Sequence, residues 1–280
     1  LAQLETSKSF TRELLQRHNI DANPEFKVFR KDADDEELKE FLEKLKDFVV
    51  KPDGLTGGKG VKVSGEHLQD VEEGIAYAKE VLETHPTVLI EERLDGEEFS
   101  LQSISGGKTV VDCPPVQDHK RAHEDDKGPN TGGMGSYSAA DHVLPFLTQE
   151  DIDKAHEITV QVAKALSEDF GAYKGVMYGG FMKTAKGIKL IEYNARFGDP
   201  ETMNVLPLLK TSFLDICKAV TTGTLSDITV EFEKKATVCK YVVPEGYPTN
   251  PKAEEIKISE TQAKIYFAAV EEEEGTIHTT

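Results

Sequence analysis

The amino-acid sequence predicts an α/β protein of the mixed, α+β type. Segments with apolar residues at helical spacing alternate along the chain with short apolar segments typical of strands. The length of 280 residues suits one large or two modest domains, and a composition of 38% hydrophobic and 30% charged residues is that of an ordinary globular protein. A hinge-like stretch at 93–96 separates a compact first block from a longer body.

The first block combines helices and short strands. Its most regular segment, 34–46, is an amphipathic helix in which Leu38, Phe41 and Leu42 fall at helical spacing. The other predicted elements are helices at 7–18 and 67–83 and strands at 48–50, 61–63 and 87–92.

The longer body has the same mixed character. Strands are predicted at 99–104, 109–112, 176–183 and 189–194, and a long helix at 151–166. A helix at 208–220 follows Pro207, a residue that favours helix starts. Short β-type segments at 238–243 and 263–270 predict a separate C-terminal module.

Composition restricts the kind of partner. The net charge of −18, from 51 acidic and 33 basic residues, argues against nucleic acid, and no apolar run approaches the length of a membrane span. Cys113, Cys217 and Cys239 have no paired spacing, which predicts a reducing, cytoplasmic environment rather than a disulfide framework. Because the chain opens at Leu1, without Met and directly in a helix, it is expected to be a fragment.

The strand at 189–194 ends in the most informative residues of the chain. Glu192 and Asn194 are two apart, so their side chains point to the same face. A carboxylate and an amide oxygen are hard ligands of the kind that hold Mg²⁺ against a phosphate. Arg196, next on that face, is a cation suited to phosphate or carboxylate. Taken alone, the pattern is equally compatible with a solvated edge strand.

A lysine and a glycine-rich loop form the second candidate site. Lys51 ends a strand directly before a loop with four glycines in seven residues, from Gly54 to Gly60. Such a loop can approach phosphates closely and present backbone N–H groups to them. It lacks P-loop spacing and a following helix, so the hypothesis is a β-hairpin flap over a nucleotide. The alternative is a flexible hairpin turn.

Three further segments have ligand-binding chemistry. The strand at 88–92 runs into an acidic hinge that could bind adenine and ribose, or it is an acidic edge strand that resists aggregation. The segment 117–121 could orient a zwitterionic or anionic substrate, and the glycine-dense segment 128–135 could wrap a small ligand. Each of the last two, taken alone, is better explained as a surface loop.

Together, and in this order, these segments resemble the ATP-grasp superfamily and, within it, the phosphoribosylamine–glycine ligases. The resemblance extends from residue 1 to about residue 248. It rests on the segments 4–8, 51–55, 57–61, 90–98, 117–121, 128–135 and 192–201. The strand at 176–182 lacks the metal-binding acid that other ATP-grasp ligases usually have there, which also matches this ligase family.

The resemblance implies an ATP-grasp fold in several parts. These are a connecting helix at 1–25, a small nucleotide-lid subdomain at 26–95, a larger mixed-sheet subdomain at 96–228 and a truncated β-rich C-terminal module at 229–280. It also implies that the family's N-terminal domain, which helps to form the substrate site, is absent.

The implied activity is ATP-dependent ligation of glycine to 5-phosphoribosylamine through a glycyl phosphate. The products are glycinamide ribonucleotide, ADP and phosphate, in purine synthesis. The implied cofactors are ATP and Mg²⁺ or Mn²⁺, and the implied partners are these small molecules, with no nucleic acid and no membrane. A cytoplasmic monomer or weak homodimer is expected. The alternatives are an ATP-binding fragment without complete ligase activity and another ATP-grasp carboxylate–amine ligase of purine synthesis.

The resemblance assigns roles to residues of the matching motifs. Expected ATP contacts are Lys8, Lys51, Gly57, Gly58, Lys59, Gly60, Glu91, Glu92, Leu94 and Glu98. Expected metal ligands are Glu192 and Asn194. Expected catalytic residues are Lys120, Arg196 and Asp199, and expected substrate contacts are Asp118, Asn130, Thr131, Gly132 and Gly133.

Overall fold

A computed structural model of the chain describes residues 1–54, 60–125 and 127–280. The α-helices are α1 (Gln3–Thr6), α2 (Lys8–Arg17), α3 (Asp35–Leu45), α4 (Val71–Thr84), α5 (Gln149–Asp169), α6 (Thr202–Val205) and α7 (Phe213–Thr222). The strands are β1 (Phe26–Arg30), β2 (Phe48–Pro52), β3 (Lys62–Val63), β4 (Thr87–Glu92), β5 (Gly96–Gly106), β6 (Val110–Asp112), β7 (Gln117–His123), β8 (Lys127–Ser138), β9 (Lys174–Thr184), β10 (Gly187–Asn194), β11 (Thr237–Lys240), β12 (Val270–Glu273) and β13 (Thr276–Thr279). Short 3-10 turns lie at Leu206–Leu208 and Leu225–Asp227.

Two antiparallel sheets provide the framework. The first has the strand order β1-β4-β2-β3 and the second has the order β10-β9-β5-β6. The hairpin β7–β8 pairs through β8 with β11, and β12 pairs with β13. The predicted mixed architecture is therefore confirmed.

The first sheet is covered by α3 and α4. Leu38 and Leu42 of α3 are fully buried against Val88 and Ile90 of β4 in one apolar cluster. The carboxylate of Asp34 accepts a hydrogen bond from a backbone N–H in the first turn of α3 and so satisfies one of the free donors there. The apolar stripe that the sequence shows at 34–46 is therefore the face that binds this helix to the sheet.

The second sheet is covered by the long helix α5. This helix begins at a capping box between Thr148 and Asp151 and buries Ile158 and Val162 completely. Helix α2 joins the same apolar cluster through Leu14 and Leu15. Helix α2 thus packs with the core of the second sheet, and it also contacts strand β4 of the first sheet.

Several predicted elements differ from the observed ones. The predicted helix at 208–220 begins only at Phe213, because Ser212 caps it and Pro207 lies in a separate 3-10 turn. The predicted strand at 263–270 is wrong except for its last residue, since Tyr266 and Phe267 are about half exposed (54% and 48%) and regular pairing starts at Val270.

Strand pairing corrects three further interpretations. Strand β4 is not an edge strand, because Ile90 pairs with Val50 on one side and with Lys27 of the unpredicted strand β1 on the other. The segments 117–121 and 128–135 are not surface loops but belong to the paired strands β7 and β8. Glycine suits β8 because a Cβ on Gly135 would lie 2.7 Å from the carbonyl oxygen of Cys239.

None of the helices in the described part of the chain is both long enough and apolar enough to cross a bilayer.

Candidate active site

An open cleft lies between the second sheet and the β7–β8 hairpin. It is lined by Glu98, Phe99, Ser100, Asp118, Lys120, Tyr178, Gly180, Ile191 and Glu192. Glu98, Asp118, Lys120 and Glu192, all selected from the sequence, therefore meet in one place. They come from three strands, β5, β7 and β10, which only the folded sheet brings together.

Lys120 is the cation of this cleft. Its Nζ atom lies 3.4 Å from Oε2 of Glu98. Burial acts to lower the pKa of Lys120, but the surrounding carboxylates outweigh burial and raise the pKa above its ordinary value. In order of effect, these carboxylates belong to Glu98, Glu192, Asp118 and Glu201. Lys120 therefore stays charged.

Asp118 has the opposite character. Burial, helped by the charge of Glu201, raises the pKa of Asp118 to about 7. Among the residues the structure describes, Oδ1 of Asp118 is buried without a hydrogen-bond partner. Gly133 packs against this carboxylate so closely that a Cβ there would lie 2.9 Å from Oδ1. Asp118 thus combines an unsatisfied acceptor with a pKa near neutrality.

Strand β10 presents the proposed metal ligands. Glu192 pairs with Gly180 of β9 and Asn194 pairs with Tyr178, so the two side chains share a face, as predicted. The register shifts between Leu190 and Glu192, which the sequence did not indicate. In the described ranges no group of three or more His, Cys, Asp or Glu side chains could hold a metal ion. Glu192 and Asn194 thus offer one carboxylate and one amide oxygen on the same face of β10.

Lys51 belongs to a buried ion-pair triad. Its Nζ atom lies 2.6 Å from Oε2 of Glu91, whose Oε1 accepts a 2.5 Å hydrogen bond from Nε of Arg12. Burial alone would raise the pKa of Glu91, but Arg12 and Lys51 lower it to about 2. The carboxylate of Glu91 is thus committed to these two cations, and Glu91 is also paired within the sheet, with Phe26 on one side and Val49 on the other.

Lys8 contacts the base of the glycine-rich loop. Its Nζ atom donates to the carbonyl oxygen of Gly54 over 2.9 Å. Burial lowers the pKa of Lys8, and the carboxylate of Glu192 opposes this shift more than any other group. Nearby, the carboxylate of Asp53 accepts hydrogen bonds from the hydroxyl of Thr87 and from the start of α2. These contacts attach the loop to α2 and β4.

The far end of the loop is attached to α4. The carbonyl oxygen of Gly60 accepts a 2.6 Å hydrogen bond from the hydroxyl of Tyr77, and the positive φ of 95° at Gly60 favours glycine. The pairing of β2 with β3 confirms the predicted hairpin. Gly57, Gly58 and Lys59 lie outside the described residues.

The hinge between the two sheets follows β4. Glu92 donates its backbone N–H to the carbonyl oxygen of Glu25, and its carboxylate accepts from Lys186 over 3.2 Å. Leu94 is half-buried in the irregular stretch between β4 and β5. Because β4 is paired on both sides, a backbone contact to an adenine base would have to come from the stretch between β4 and β5.

The glycine-dense strand supports the cleft from behind. Thr131 donates from its hydroxyl to the carbonyl oxygen of Lys120 over 2.8 Å, and Gly133 donates its N–H to the same hydroxyl. Asn130 and Gly132 are exposed. Thr131 and Gly133 therefore hold strand β7 in place, whereas the other two remain available to a ligand.

The two predicted catalytic residues after β10 have different partners. Nε of Arg196 lies 3.2 Å from Oε1 of Glu5, and the Arg196 side chain is 56% exposed. Asp199 accepts a hydrogen bond from the hydroxyl of Tyr241. Neither side chain is among the residues that line the cleft.

Sequence reasoning missed four side chains that shape the site: Arg12, Tyr178, Glu201 and Tyr241. Of these four, only Arg12 could have been found from a local pattern. It is a cation on the apolar face of an amphipathic helix, on which Leu15, about one turn later, is buried. The remaining three act through partners that are distant in sequence.

Antiparallel sheets on either side of a charged cleft, with an attached glycine-rich hairpin, define an ATP-grasp protein. The model of the phosphoribosylglycinamide synthetase ATP-grasp (A) domain matches residues 6–202. The chain therefore belongs to the phosphoribosylglycinamide synthetase family.

Individual relatives agree. The phosphoribosylamine–glycine ligases of Methanocella arvoryzae and Methanosarcina barkeri are 52% and 51% identical over the whole chain. The chain spans 64% of the length of each. The crystal structure of the ligase from Thermotoga maritima is similar, with a TM-score of 0.81 and 31% identity over 99% of this chain and 69% of its own.

Proposed function

We propose that this chain provides the ATP-binding and phosphoryl-transfer site of a phosphoribosylamine–glycine ligase. In the proposed reaction, ATP phosphorylates the carboxylate of glycine. That step releases ADP, and the amine of 5-phosphoribosylamine then attacks the glycyl phosphate, which gives glycinamide ribonucleotide and releases phosphate. The names of the relatives support this reaction, and the proposal includes a cytoplasmic monomer or weak homodimer.

The observation that carries the proposal is the convergence of Glu98, Asp118, Lys120 and Glu192 on one cleft. Phosphoryl transfer requires positioning and charge neutralisation more than covalent participation by the protein. Lys120, an ammonium group held among carboxylates next to the proposed metal-binding strand β10, provides both positioning and charge neutralisation.

Lys51 and Lys8 are proposed to bind the phosphates of ATP. Lys51 is held by Glu91, and Lys8 lies beside the backbone of Gly54 with Glu192 nearby. The glycine-rich hairpin that begins at Gly54 is proposed to cover the phosphates and to exclude water from the acyl phosphate.

Glu192 and Asn194 fit the divalent ion that ATP-grasp enzymes use. They supply one carboxylate and one amide oxygen on the same face of β10, which are ligands suited to Mg²⁺ or Mn²⁺. An ion held by these two residues would supply positive charge to the phosphates of ATP. Glu192 and Asn194 would then fix that end of ATP against the cleft.

Asp118 and Lys120 are proposed to bind the glycine end. Lys120 remains positively charged and attracts the carboxylate of glycine. Oδ1 of Asp118 has no hydrogen-bond partner among the described residues, and the pKa of the Asp118 carboxyl group is raised to about 7, so this group can take a proton from an amine near neutral pH. Arg196 and Asp199, in the segment that follows β10, are proposed to contact the phosphoribosylamine.

The test combines binding and turnover measurements. Calorimetry with ATP and Mg²⁺ is followed by an assay of ADP formation with glycine alone and with glycine plus 5-phosphoribosylamine. The proposal predicts ATP binding and glycine-dependent ADP formation. ATP binding without glycine-dependent turnover would support the ATP-binding fragment. Turnover with a different carboxylate substrate would support another ligase of this superfamily.

A further inference from the structure

Strand β10 contains a β-bulge immediately before the proposed metal ligands. Leu190 pairs with Phe181 and Glu192 pairs with Gly180, so Ile191 is an extra residue on β10. Ile188 and Leu190 face the core before the bulge, and Tyr193 faces it afterwards. The bulge therefore reverses the alternation of the strand.

This reversal decides where Glu192 points. In a regular strand, Glu192 would lie on the same face as Leu190, which is fully buried in the larger core. With the extra residue, Glu192 instead lines the cleft. The proposed metal site thus depends on the bulge being formed and held.

Arg12 of α2 contacts the backbone of the bulge directly. Its Nη1 atom donates to the carbonyl oxygen of Leu190 over 2.9 Å, and its Nη2 atom donates to that of Ile191 over 2.8 Å. Arg12 is 2% exposed, so water cannot easily replace these donors. One planar guanidinium therefore satisfies two consecutive carbonyl groups at the irregular point of the strand.

The third nitrogen of the same guanidinium reaches the first sheet. Nε of Arg12 bonds Glu91, and Glu91 in turn holds Lys51 at 2.6 Å. A guanidinium has its donors in a fixed planar geometry, which an ammonium does not. Arg12 consequently links Lys51, the proposed phosphate-binding lysine, to β10, the proposed metal-binding strand.

We infer that Arg12 is a positioning residue that holds Glu192 on the cleft side of β10 and aligns it with Lys51. This inference rests on the proposed function, because it gives Glu192 and Lys51 a common ligand, the Mg²⁺–ATP complex. Arg12 itself does not line the cleft.

The test compares Arg12→Lys and Arg12→Met with Arg17→Lys. Arg17 lies on the same helix, but its side chain is 51% exposed and pairs with Asp169. ATP affinity is measured by calorimetry with Mg²⁺ and with EDTA, and thermal unfolding is recorded for each variant.

A lysine at position 12 keeps a positive charge beside Glu91 but cannot bridge both carbonyl groups. Arg12→Lys should therefore bind ATP in EDTA as the wild type does. The gain in ATP affinity that Mg²⁺ provides should fall by roughly 10- to 100-fold, the range for loss of an outer-shell partner. Arg12→Met should lower both affinities, and Arg17→Lys should change neither.

Two results would overturn the inference. In one, Arg12→Lys keeps the full Mg²⁺-dependent gain. In the other, its melting temperature and both affinities fall together, which would mean that Arg12 only stabilises the fold. A wild-type protein that binds no ATP under either condition would instead contradict the proposed function, and the inference would fall with it.

Discussion

The hydroxyl of Tyr178 donates a 2.7 Å hydrogen bond to Oε1 of Glu201 in the interior of the protein. Tyr178 lines the cleft, and Glu201 is 2% exposed in the segment that follows β10. Burial and the carboxylate of Glu201 raise the pKa of Tyr178 well above its ordinary value, so the phenol remains a donor. This pair connects the wall of the cleft to the segment that contains Asp199.

Removal of this hydroxyl should destabilise the protein. Tyr178→Phe leaves a buried carboxylate oxygen without its donor, which costs about 1–3 kcal/mol in the free energy of unfolding. Urea denaturation measures the change. Tyr173→Phe is the matched control, because Tyr173 donates to the neutral carbonyl group of Val176 and should cost only about 0.5–1.5 kcal/mol. Equal losses would show that the charge of Glu201 does not matter.

Glu192→Gln should abolish ligase turnover while the protein stays folded. The substitution keeps the shape of the side chain and removes the one full negative charge of the proposed metal pair. ADP formation at limiting Mg²⁺ and circular dichroism test the two parts of this expectation. Glu97→Gln, an exposed position on β5, serves as the control. If Glu192→Gln turns over as fast as the wild type, Glu192 is not a metal ligand.

Lys51→Ala should weaken ATP binding by about 1.5–3 kcal/mol, the range for a hydrogen bond to a charged group. It should also lower stability, because buried Glu91 would keep only Arg12 as a partner. Calorimetry and urea denaturation measure the two effects. Lys44→Ala, which removes a surface ion pair with Glu25, should leave ATP affinity unchanged. Unchanged affinity in Lys51→Ala would exclude a phosphate contact.

Asp118 should make stability fall as the pH rises from about 4 to 7. Its pKa is raised from 3.8 to about 7, so the folded state keeps a proton that the unfolded state releases in this range. The stabilising contribution is complete below pH 3.8 and is lost as the pH passes 7.

Asp118→Asn tests this dependence. The variant should gain stability relative to the wild type between pH 4 and pH 8 in urea denaturation. For Asp95→Asn, at an exposed position, the free energy of unfolding should depend on pH as it does in the wild type. If the free energy of unfolding of Asp118→Asn also has the pH dependence of the wild type, Asp118 is ionised in the folded protein throughout this range.

Local sequence patterns were enough to predict the elements with strong periodicity and to select candidate residues for the site. The apolar stripe of α3 and the Glu192–Asn194 pair depend on repeats of 3.6 and 2 residues, which a few neighbouring positions reveal. Lys51 was selected from its place before the glycine-rich loop, and the segment 117–121 from its clustered charges. Local patterns failed where pairing with distant strands decides, as in the glycine-dense strand β8 and in the position of β4 inside its sheet and not at an edge.

The contacts between the residues of the site depend on the tertiary structure. Arg12 and Glu91 are 79 residues apart in the sequence, and Arg12 and Leu190 are 178 apart. No local pattern specifies such contacts, because a buried charge is stable only when folding brings its partner within hydrogen-bond distance. The side of β10 on which Glu192 lies was decided in the same way, by one extra residue whose carbonyl group a distant arginine satisfies.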